Sequence, residues 1–196
     1  PSKADIDSAN ITAFTNWLNQ NKGLSLSSYS MLWQWSVDHV EDFWEAVVEY
    51  FNIPLEGNYD KVISSSSMPG VKWFEGTSIN YTEQVFRQKS SEHPALIFES
   101  ELKDYQEISW DNLESDVAAI ASFLRSKGVK QGDRVVAFMP NIPQTVVAFL
   151  ATASIGAVYS SCSPDFGAES VVERFKQIEP CFLFAVDGYR YNGKDF

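Results

Sequence analysis

Two segments near the carboxyl end of the chain carry the residue types best suited to binding an anionic ligand. Ser163–Gly167 (SPDFG) lies between an apolar run and a predicted helix that begins near Ala168, whose free backbone N–H groups can hold an anion. Asp187–Lys194 combines two cations, Arg190 and Lys194, with two tyrosines and two glycines. Cationic side chains bind phosphates, and aromatic rings stack on bases. Ordinary turns have the same composition, so the residues alone leave both interpretations open.

The common signatures of nucleotide-binding loops are missing from the sequence. The loop after the apolar run RVVAFM is PNIP, residues 140–143, and contains no glycine. Its backbone therefore cannot approach a pyrophosphate as closely as a dinucleotide fingerprint requires. The phosphate-loop pattern GxxxxGK[ST] does not occur either. The sequence therefore disfavours both an NAD site and a P-loop NTPase.

The sequence offers few side chains for a metal ion or a histidine-based nucleophile. His39 and His93 are the only histidines, and neither stands at ligand spacing from a cysteine. The same scarcity disfavours a Ser-His-Asp triad. Cys162 lies in an apolar run and Cys181 begins another, which predicts buried, inert thiols rather than a disulfide framework. We predict no metal site and a reducing compartment.

Composition excludes several classes of protein. Lys and Arg number 15 against 26 Asp and Glu, and a net charge of −11 repels nucleic acid. A content of 44% hydrophobic and 14% aromatic residues supplies a core and rules out global disorder. No apolar run approaches the roughly 18 residues of a membrane span, and the polar start PSKADIDSAN lacks a signal sequence. We therefore expect a cytoplasmic protein without a nucleic-acid partner.

The elements that must position the two loops are predicted from about residue 93 onward. The runs ALIFES and YQEISW predict a strand pair, and Ser109 precedes a helix that Gly128 ends. The runs RVVAFM, AVYSSCS and CFLFAVD alternate with helices predicted at 143–155 and 168–178. This β-α-β-α-β order predicts a parallel sheet with right-handed crossovers, whose carboxyl edge carries both loops.

The amino-terminal segment, residues 1–92, is rich in aromatic residues and is predicted to contain three helices. Apolar residues at helical spacing over 11–18 predict a helix that Gly23 ends, and capping boxes at Asp38–Glu41 and Asn80–Glu83 predict two more. The serine run with the following MPG, residues 64–70, predicts a loop. The density of large rings suggests a docking module that covers another surface.

The stretch from Gly132 to Lys194 resembles the opening of the adenylate-forming core of acyl-CoA synthetases. Within that family, SSCSPDFG and AVDGYRYNGK are most similar to members that activate acetoacetate. MLWQWSVDHVEDFWEAVVEYF and MPGVKWFEGTSINYTEQVF are similar to the family's aromatic cap. The resemblance implies an α/β protein: a helical, aromatic-rich cap over 1–92, then part of a doubly wound parallel sheet over 93–196, the start of the AMP-binding domain.

The resemblance implies a parent enzyme that is an ATP-dependent, AMP-forming acid–CoA ligase. In such an enzyme the acetoacetate carboxylate attacks the α-phosphate of Mg²⁺-bound ATP, and the CoA thiol then attacks the acyl-adenylate. The family's glycine-rich phosphate loop, nucleotide motifs, hinge and catalytic lysine have no counterpart in these 196 residues. We therefore expect an inactive amino-terminal fragment with no catalytic residue, whose partner is the remainder of its polypeptide. Acetate or propionate as the acid, and a non-catalytic aromatic interaction module, remain alternatives.

For this chain the resemblance implies contacts with CoA only. Arg190 matches a family arginine that supplies positive charge to CoA phosphates, and Lys194 lies one residue beyond its counterpart. Phe166 and Gly167 belong to a loop that lies beside the pantetheine or nucleotide arm. Asp165 replaces a glycine of related synthetases, and a carboxylate there must point away from phosphates.

Overall fold

A computed structural model of the protein describes residues 1–65 and 67–196, so Ser66 of the predicted serine-rich loop lies outside the described residues. The chain forms two compact units, residues 1–79 and 80–196. The helices of the described residues are α1 (Lys3–Asp7), α2 (Asn10–Asn21), α3 (Tyr29–Asp38), α4 (Val40–Tyr50), α5 (Tyr81–Phe86), α6 (Trp110–Ser126), α7 (Pro143–Ser154) and α8 (Ala168–Lys176). The strands are β1 (Glu56–Gly57), β2 (Thr77–Ser78), β3 (Leu96–Ser100), β4 (Lys103–Ile108), β5 (Arg134–Phe138), β6 (Val158–Cys162), β7 (Phe182–Ala185), β8 (Arg190–Tyr191) and β9 (Lys194–Asp195).

The first unit is built from α1 to α4 around a cluster of aromatic rings. Phe14 of α2 is buried, and its ring lies 5.0–6.3 Å, centroid to centroid, from three others, those of Trp17, Phe43 and Tyr50. Such edge-to-face and offset packing adds to the free energy gained by burying the rings. Part of the aromatic set thus forms this unit's own core, whereas the rings of Tyr29, Trp33 and Phe51 are exposed.

The capping box predicted at Asp38 is wrong. Asp38 is the last residue of α3, a helix that the sequence analysis did not predict, and His39 precedes α4 without a side-chain cap. Because α3 and α4 meet at a single residue, the apolar pattern runs through the junction and conceals it. The cap predicted at Asn80 is confirmed, since its side chain accepts hydrogen bonds from the backbone of Thr82 and Glu83.

β1 and β2 pair in the first unit through a close backbone approach. Gly57 has a φ of +103°, a conformation that side chains with a Cβ rarely adopt. A Cβ at this position would lie 2.4 Å from the carbonyl oxygen of Gly76. This crossing therefore requires glycine.

The second unit contains the predicted parallel sheet, in the order β6-β5-β7. The central strand β5 is buried at Val135, Val136 and Ala137, which explains its continuous apolar run. Helices α6 and α7 pack against each other, and the core that they share with β5 includes Leu124 and Leu150. The predicted α/β fold class and the predicted strand pair β3–β4 are confirmed.

Helix α5 is attached to α7 by two side-chain hydrogen bonds. The hydroxyl of Thr82, 4% exposed, donates to the carbonyl of Leu150 at 2.8 Å. The amide of Asn80 donates to the carbonyl of Ser154 at 2.9 Å. These contacts place residues 80–86 in the second unit, while the domain boundary at 92/93 stays a prediction.

The side chain of Arg134, at the start of β5, binds the chain segment that follows α8. Its Nε donates to the carbonyl of Ile178 at 2.7 Å, and Nη2 donates to that of Glu179 at 3.1 Å. Nη1 donates to the carbonyl of Gly132 at 3.3 Å. One guanidinium thus holds the turn that leads into β7.

No helix among the described residues is both long and apolar enough to cross a membrane.

Candidate functional site

The carboxyl ends of β5 and β7 define a crevice in the second unit. From β5 the chain passes through α7 to β6, and from β6 through α8 to β7 on the far side of β5. Right-handed crossovers place two such helices on opposite faces of the sheet. Open α/β sheets bind ligands outside the carboxyl ends of the strands at this change of direction. In this sheet the change of direction lies between β5 and β7.

A cavity of about 450 Å³ lies at this edge. Its wall is formed by the β3–β4 hairpin, by the loop 140–144 after β5 and by the loop 186–190 after β7. The polar residues of the wall supply two cations, three amides, a phenol, a hydroxyl and one carboxylate: Lys103, Arg190, Gln106, Asn141, Gln144, Tyr189, Ser100 and Glu99. Prolines, aliphatic side chains and Phe98 form most of the rest. This mixture suits a ligand with both anionic and apolar parts.

Arg190 lies in this wall, but its guanidinium is already bound by a carboxylate. Its Nε and Nη2 donate to the two carboxylate oxygens of Asp195, each at 2.7 Å. The bidentate pair lowers the pKa of Asp195 and raises that of Arg190. Arg190 remains 37% exposed. A phosphate can therefore reach the guanidinium, but it must compete with Asp195.

Arg190 belongs to a β-hairpin that the sequence analysis treated as an unstructured loop. β8 and β9 pair antiparallel, with Arg190 opposite Asp195 and Tyr191 opposite Lys194. The two turn residues, Asn192 and Gly193, both have positive φ, +51° and +72°. Asn-Gly is the preferred sequence for such a two-residue turn, so the dipeptide was the signal that could have predicted the hairpin.

The tip of this hairpin holds a carboxylate from a distant part of the sequence. Glu101, in the turn between β3 and β4, accepts hydrogen bonds from the backbone N–H groups of Asn192 and Gly193, both at 2.7 Å. Glu101 is a functional candidate that the sequence analysis missed. No sequence signal links an exposed turn glutamate to backbone groups more than 90 residues away.

Lys194 is exposed on β9 and does not line the cavity. Within residues 1–65 and 67–196 it forms no ion pair, so its ammonium group faces solvent on the hairpin that carries Arg190. The hairpin therefore presents one paired and one solvated cation.

The loop after β6 lies beside the loop after β7. The hydroxyl of Tyr189 donates to the carbonyl of Pro164 at 3.4 Å. The carboxylate of Asp165 accepts from the hydroxyl of Ser163 at 2.8 Å, within its own loop. Asp165 is thus hydrogen-bonded within its own loop, and its orientation away from a ligand stays a prediction.

Phe166 and Gly167 stand at the start of α8, outside the cavity wall. The guanidinium carbon of Arg174 lies 4.6 Å from the centroid of the Phe166 ring, which is 42% exposed. This cation–π contact covers one ring face and adds positive charge to the loop. Gly167 is the N-cap of α8 and has no side chain to satisfy the first N–H groups. The structure thus brings the two predicted loops together, and the assignment of the four residues to CoA stays a prediction.

Within the described part of the chain, no cluster of three or more His, Cys, Asp or Glu side chains could hold a metal ion. Cys162 is buried and Cys181 is exposed, and neither forms a disulfide. The prediction that both thiols are buried is therefore wrong for Cys181, which precedes β7 rather than lying within it.

Models of known protein families match both parts of this architecture. The model described as AMP-binding enzyme matches residues 82–195, more than half of the chain. The model described as Acetyl-coenzyme A synthetase N-terminus matches residues 29–85. The chain therefore belongs to the AMP-binding enzyme family.

Within this family the chain resembles acetoacetyl-CoA synthetases, as its sequence predicted. Those of Xenopus tropicalis and Gallus gallus are 40% and 43% identical to it, over 96% and 88% of this chain. A solved structure, Acetoacetyl-CoA Synthetase from Streptomyces lividans, is 44% identical, covers the whole chain and superposes with a TM-score of 0.94. The chain spans 29%, 26% and 31% of the lengths of these three proteins.

Proposed function

We propose that this chain forms the amino-terminal part of an ATP-dependent ligase that joins acetoacetate to CoA. The observation that carries the proposal is the likeness to a solved acetoacetyl-CoA synthetase at 44% identity over the entire chain. A free carboxylate is a poor electrophile, so the reaction requires activation. The carboxylate attacks the α-phosphate of Mg²⁺-bound ATP, the bond to the β-phosphate breaks, and pyrophosphate leaves as the acyl-adenylate forms. AMP then leaves when the CoA thiol attacks.

In this proposal the chain contributes contacts to CoA rather than catalytic groups. Arg190 and Lys194 supply positive charge for the CoA phosphates, and the loop at Phe166 and Gly167 lies along the pantetheine or nucleotide arm. The cavity wall, the paired guanidinium and the solvated ammonium on one hairpin fit a polyanionic ligand with an apolar arm. The unpaired cysteines agree with a reducing, cytoplasmic compartment.

The experiment separates the two half-reactions in the whole protein. ATP–pyrophosphate exchange measures adenylation, and single-turnover transfer from the preformed acyl-adenylate measures the CoA step. Arg190→Ala should raise the KM for CoA about tenfold, because a charge-assisted contact is lost, and should leave adenylation unchanged. Arg125→Ala, which removes an exposed cation from α6, is the matched control and should change neither step.

The acid is tested in the same exchange assay. Acetoacetate should support faster exchange than acetate or propionate at equal concentration. Equal rates for the three acids would contradict the choice of acetoacetate, and an unchanged KM for CoA in Arg190→Ala would contradict the role of the hairpin.

A further inference from the structure

We propose that Glu101 is a positioning residue. It holds the β8–β9 hairpin in the orientation from which Arg190 and Lys194 meet the phosphates of CoA. The proposal rests on the CoA role proposed above, but the contact between Glu101 and the hairpin stands on the geometry alone.

The contact is bidentate and charge-assisted. One carboxylate oxygen of Glu101 accepts from Asn192 N and the other from Gly193 N, each at 2.7 Å. These N–H groups belong to the two central turn residues and have no partner in the backbone pairing of the hairpin, which joins residues 189–191 to residues 194–196. Hydrogen bonds to an ionised acceptor are about twice as strong as neutral ones. Glu101 therefore satisfies both donors of the turn at once.

Glu101 itself projects from a well-anchored element. It lies in the turn of the β3–β4 hairpin, whose strands pair from Leu96–Ile108 to Ser100–Lys103. The hydroxyl of Ser100 accepts from Leu102 N at 3.3 Å and stabilises that turn. A register shift between Phe98 and Ser100 ends the regular ladder just before Glu101. The β3–β4 hairpin is thus longer than the hairpin that it holds, and Leu96 and Ile108 at its base pack against the core of the unit.

The β8–β9 hairpin needs such an anchor. It has two residues in each strand and one further pair, Tyr189 and Phe196, which exchange two backbone hydrogen bonds. An isolated two-stranded hairpin of this size is at best marginally stable in water. Its own ion pair, Arg190–Asp195, closes the hairpin but does not attach it to the rest of the unit. The Tyr189–Pro164 hydrogen bond is long, at 3.4 Å, and lies at the base of the hairpin. Glu101 fixes the tip.

A rival role for Glu101 is competition with the ligand, because its charge lies close enough to Arg190 to contribute to that residue's raised pKa. The geometry favours positioning. Both oxygens of Glu101 are bonded to backbone N–H groups, and the guanidinium of Arg190 is bound by Asp195 instead. The two roles predict opposite changes in the affinity for CoA when the carboxylate of Glu101 is removed.

The first test measures the contact without CoA, by amide hydrogen exchange or NMR of the whole protein. In Glu101→Gln, one of the two acceptors becomes an NH₂ group that faces an N–H. Exchange at Asn192 and Gly193 should accelerate at least about tenfold. Asp104→Asn removes one charge from the same β3–β4 hairpin without touching the turn, and should leave both amides unchanged. Unchanged exchange in Glu101→Gln would overturn the proposal.

The second test measures the consequence for CoA. Glu101→Gln should raise the KM for CoA several-fold with kcat and ATP–pyrophosphate exchange unchanged, and Glu101→Asp should restore part of the loss. Tighter CoA binding in Glu101→Gln would overturn positioning in favour of competition. If Arg190→Ala raises the KM for CoA and Glu101→Gln leaves it unchanged, the positioning role of Glu101 is also overturned. If Arg190→Ala has no effect while the amides respond to Glu101→Gln, the CoA role falls and the hold of Glu101 on the hairpin stands.

Discussion

Replacing Arg134 by methionine tests how the segment after α8 is held at the sheet. The substitution keeps most of the aliphatic stem, so packing along the side chain changes little, but it removes the guanidinium that binds three backbone carbonyls. The affected turn leads directly into β7, whose carboxyl end carries the candidate site.

The magnitude follows from the three contacts. The bond from Nε to the Ile178 carbonyl is short, at 2.7 Å, and half-buried, and a hydrogen bond to a charged group contributes about 1.5–3 kcal/mol. The bonds to Glu179 and Gly132 are longer and exposed. Water can take their place, so they contribute little to the free energy of unfolding. We expect Arg134→Met to lower the free energy of unfolding by about 2 kcal/mol. With a urea m-value of about 2 kcal/mol/M, the midpoint falls by about 1 M.

Urea unfolding followed by circular dichroism measures this change. Arg134→Lys keeps the charge, but a single ammonium cannot serve three divergent carbonyls, so it should recover about half of the loss. Arg125→Met removes an exposed arginine without these bonds and should shift the free energy by less than about 0.5 kcal/mol. An Arg134→Met midpoint equal to that of the Arg125→Met control would refute the reasoning.

Three further changes test other features of the fold. Thr82→Val should cost about 1 kcal/mol, seen in the urea midpoint, because the buried hydroxyl bond to α7 is lost at nearly constant shape. The pKa of Asp195 lies below its ordinary value of 3.8. The stability that the ion pair gives the hairpin is therefore fully present above pH 3.8 and is lost as the pH falls through the lowered pKa of Asp195. Carboxyl NMR titration should show this pKa rising in Arg190→Gln. Gly57→Ala should lower the thermal midpoint far more than Gly23→Ala, where a Cβ meets open space; equal shifts would contradict the close approach.

The helices and strands of the second unit were predictable because the local sequence pattern reflects which of their residues are buried. β5 is buried on both faces at Val135–Ala137 and is therefore a continuous apolar run, and the helix predicted after Ser109 begins where its cap stands. The order β6-β5-β7 was not predictable in the same way. Strand order depends on which edge a crossover reaches, and no local pattern records it.

The candidate site was predictable as a place but not as a set of contacts. The edge rule for parallel sheets located both loops, and Tyr189 brings them together. The partner of Arg190 was missed, since Asp195 reaches the guanidinium only because Asn192 and Gly193 turn the chain back on itself. Helix α3 was missed because only one residue separates it from α4, which leaves no break in the apolar spacing.

The ion pair between Arg190 and Asp195 changes what kind of anion the hairpin can select. A tethered carboxylate acts at an effective concentration in the millimolar range or above, so dilute monovalent ions displace it poorly. A ligand with several phosphate charges and further contacts can displace it. One anion then replaces another, fewer mobile counterions are released, and the association constant depends less steeply on ionic strength than it would for a bare guanidinium. In the proposed CoA site, the built-in carboxylate would thus favour polyvalent anions over monovalent ones.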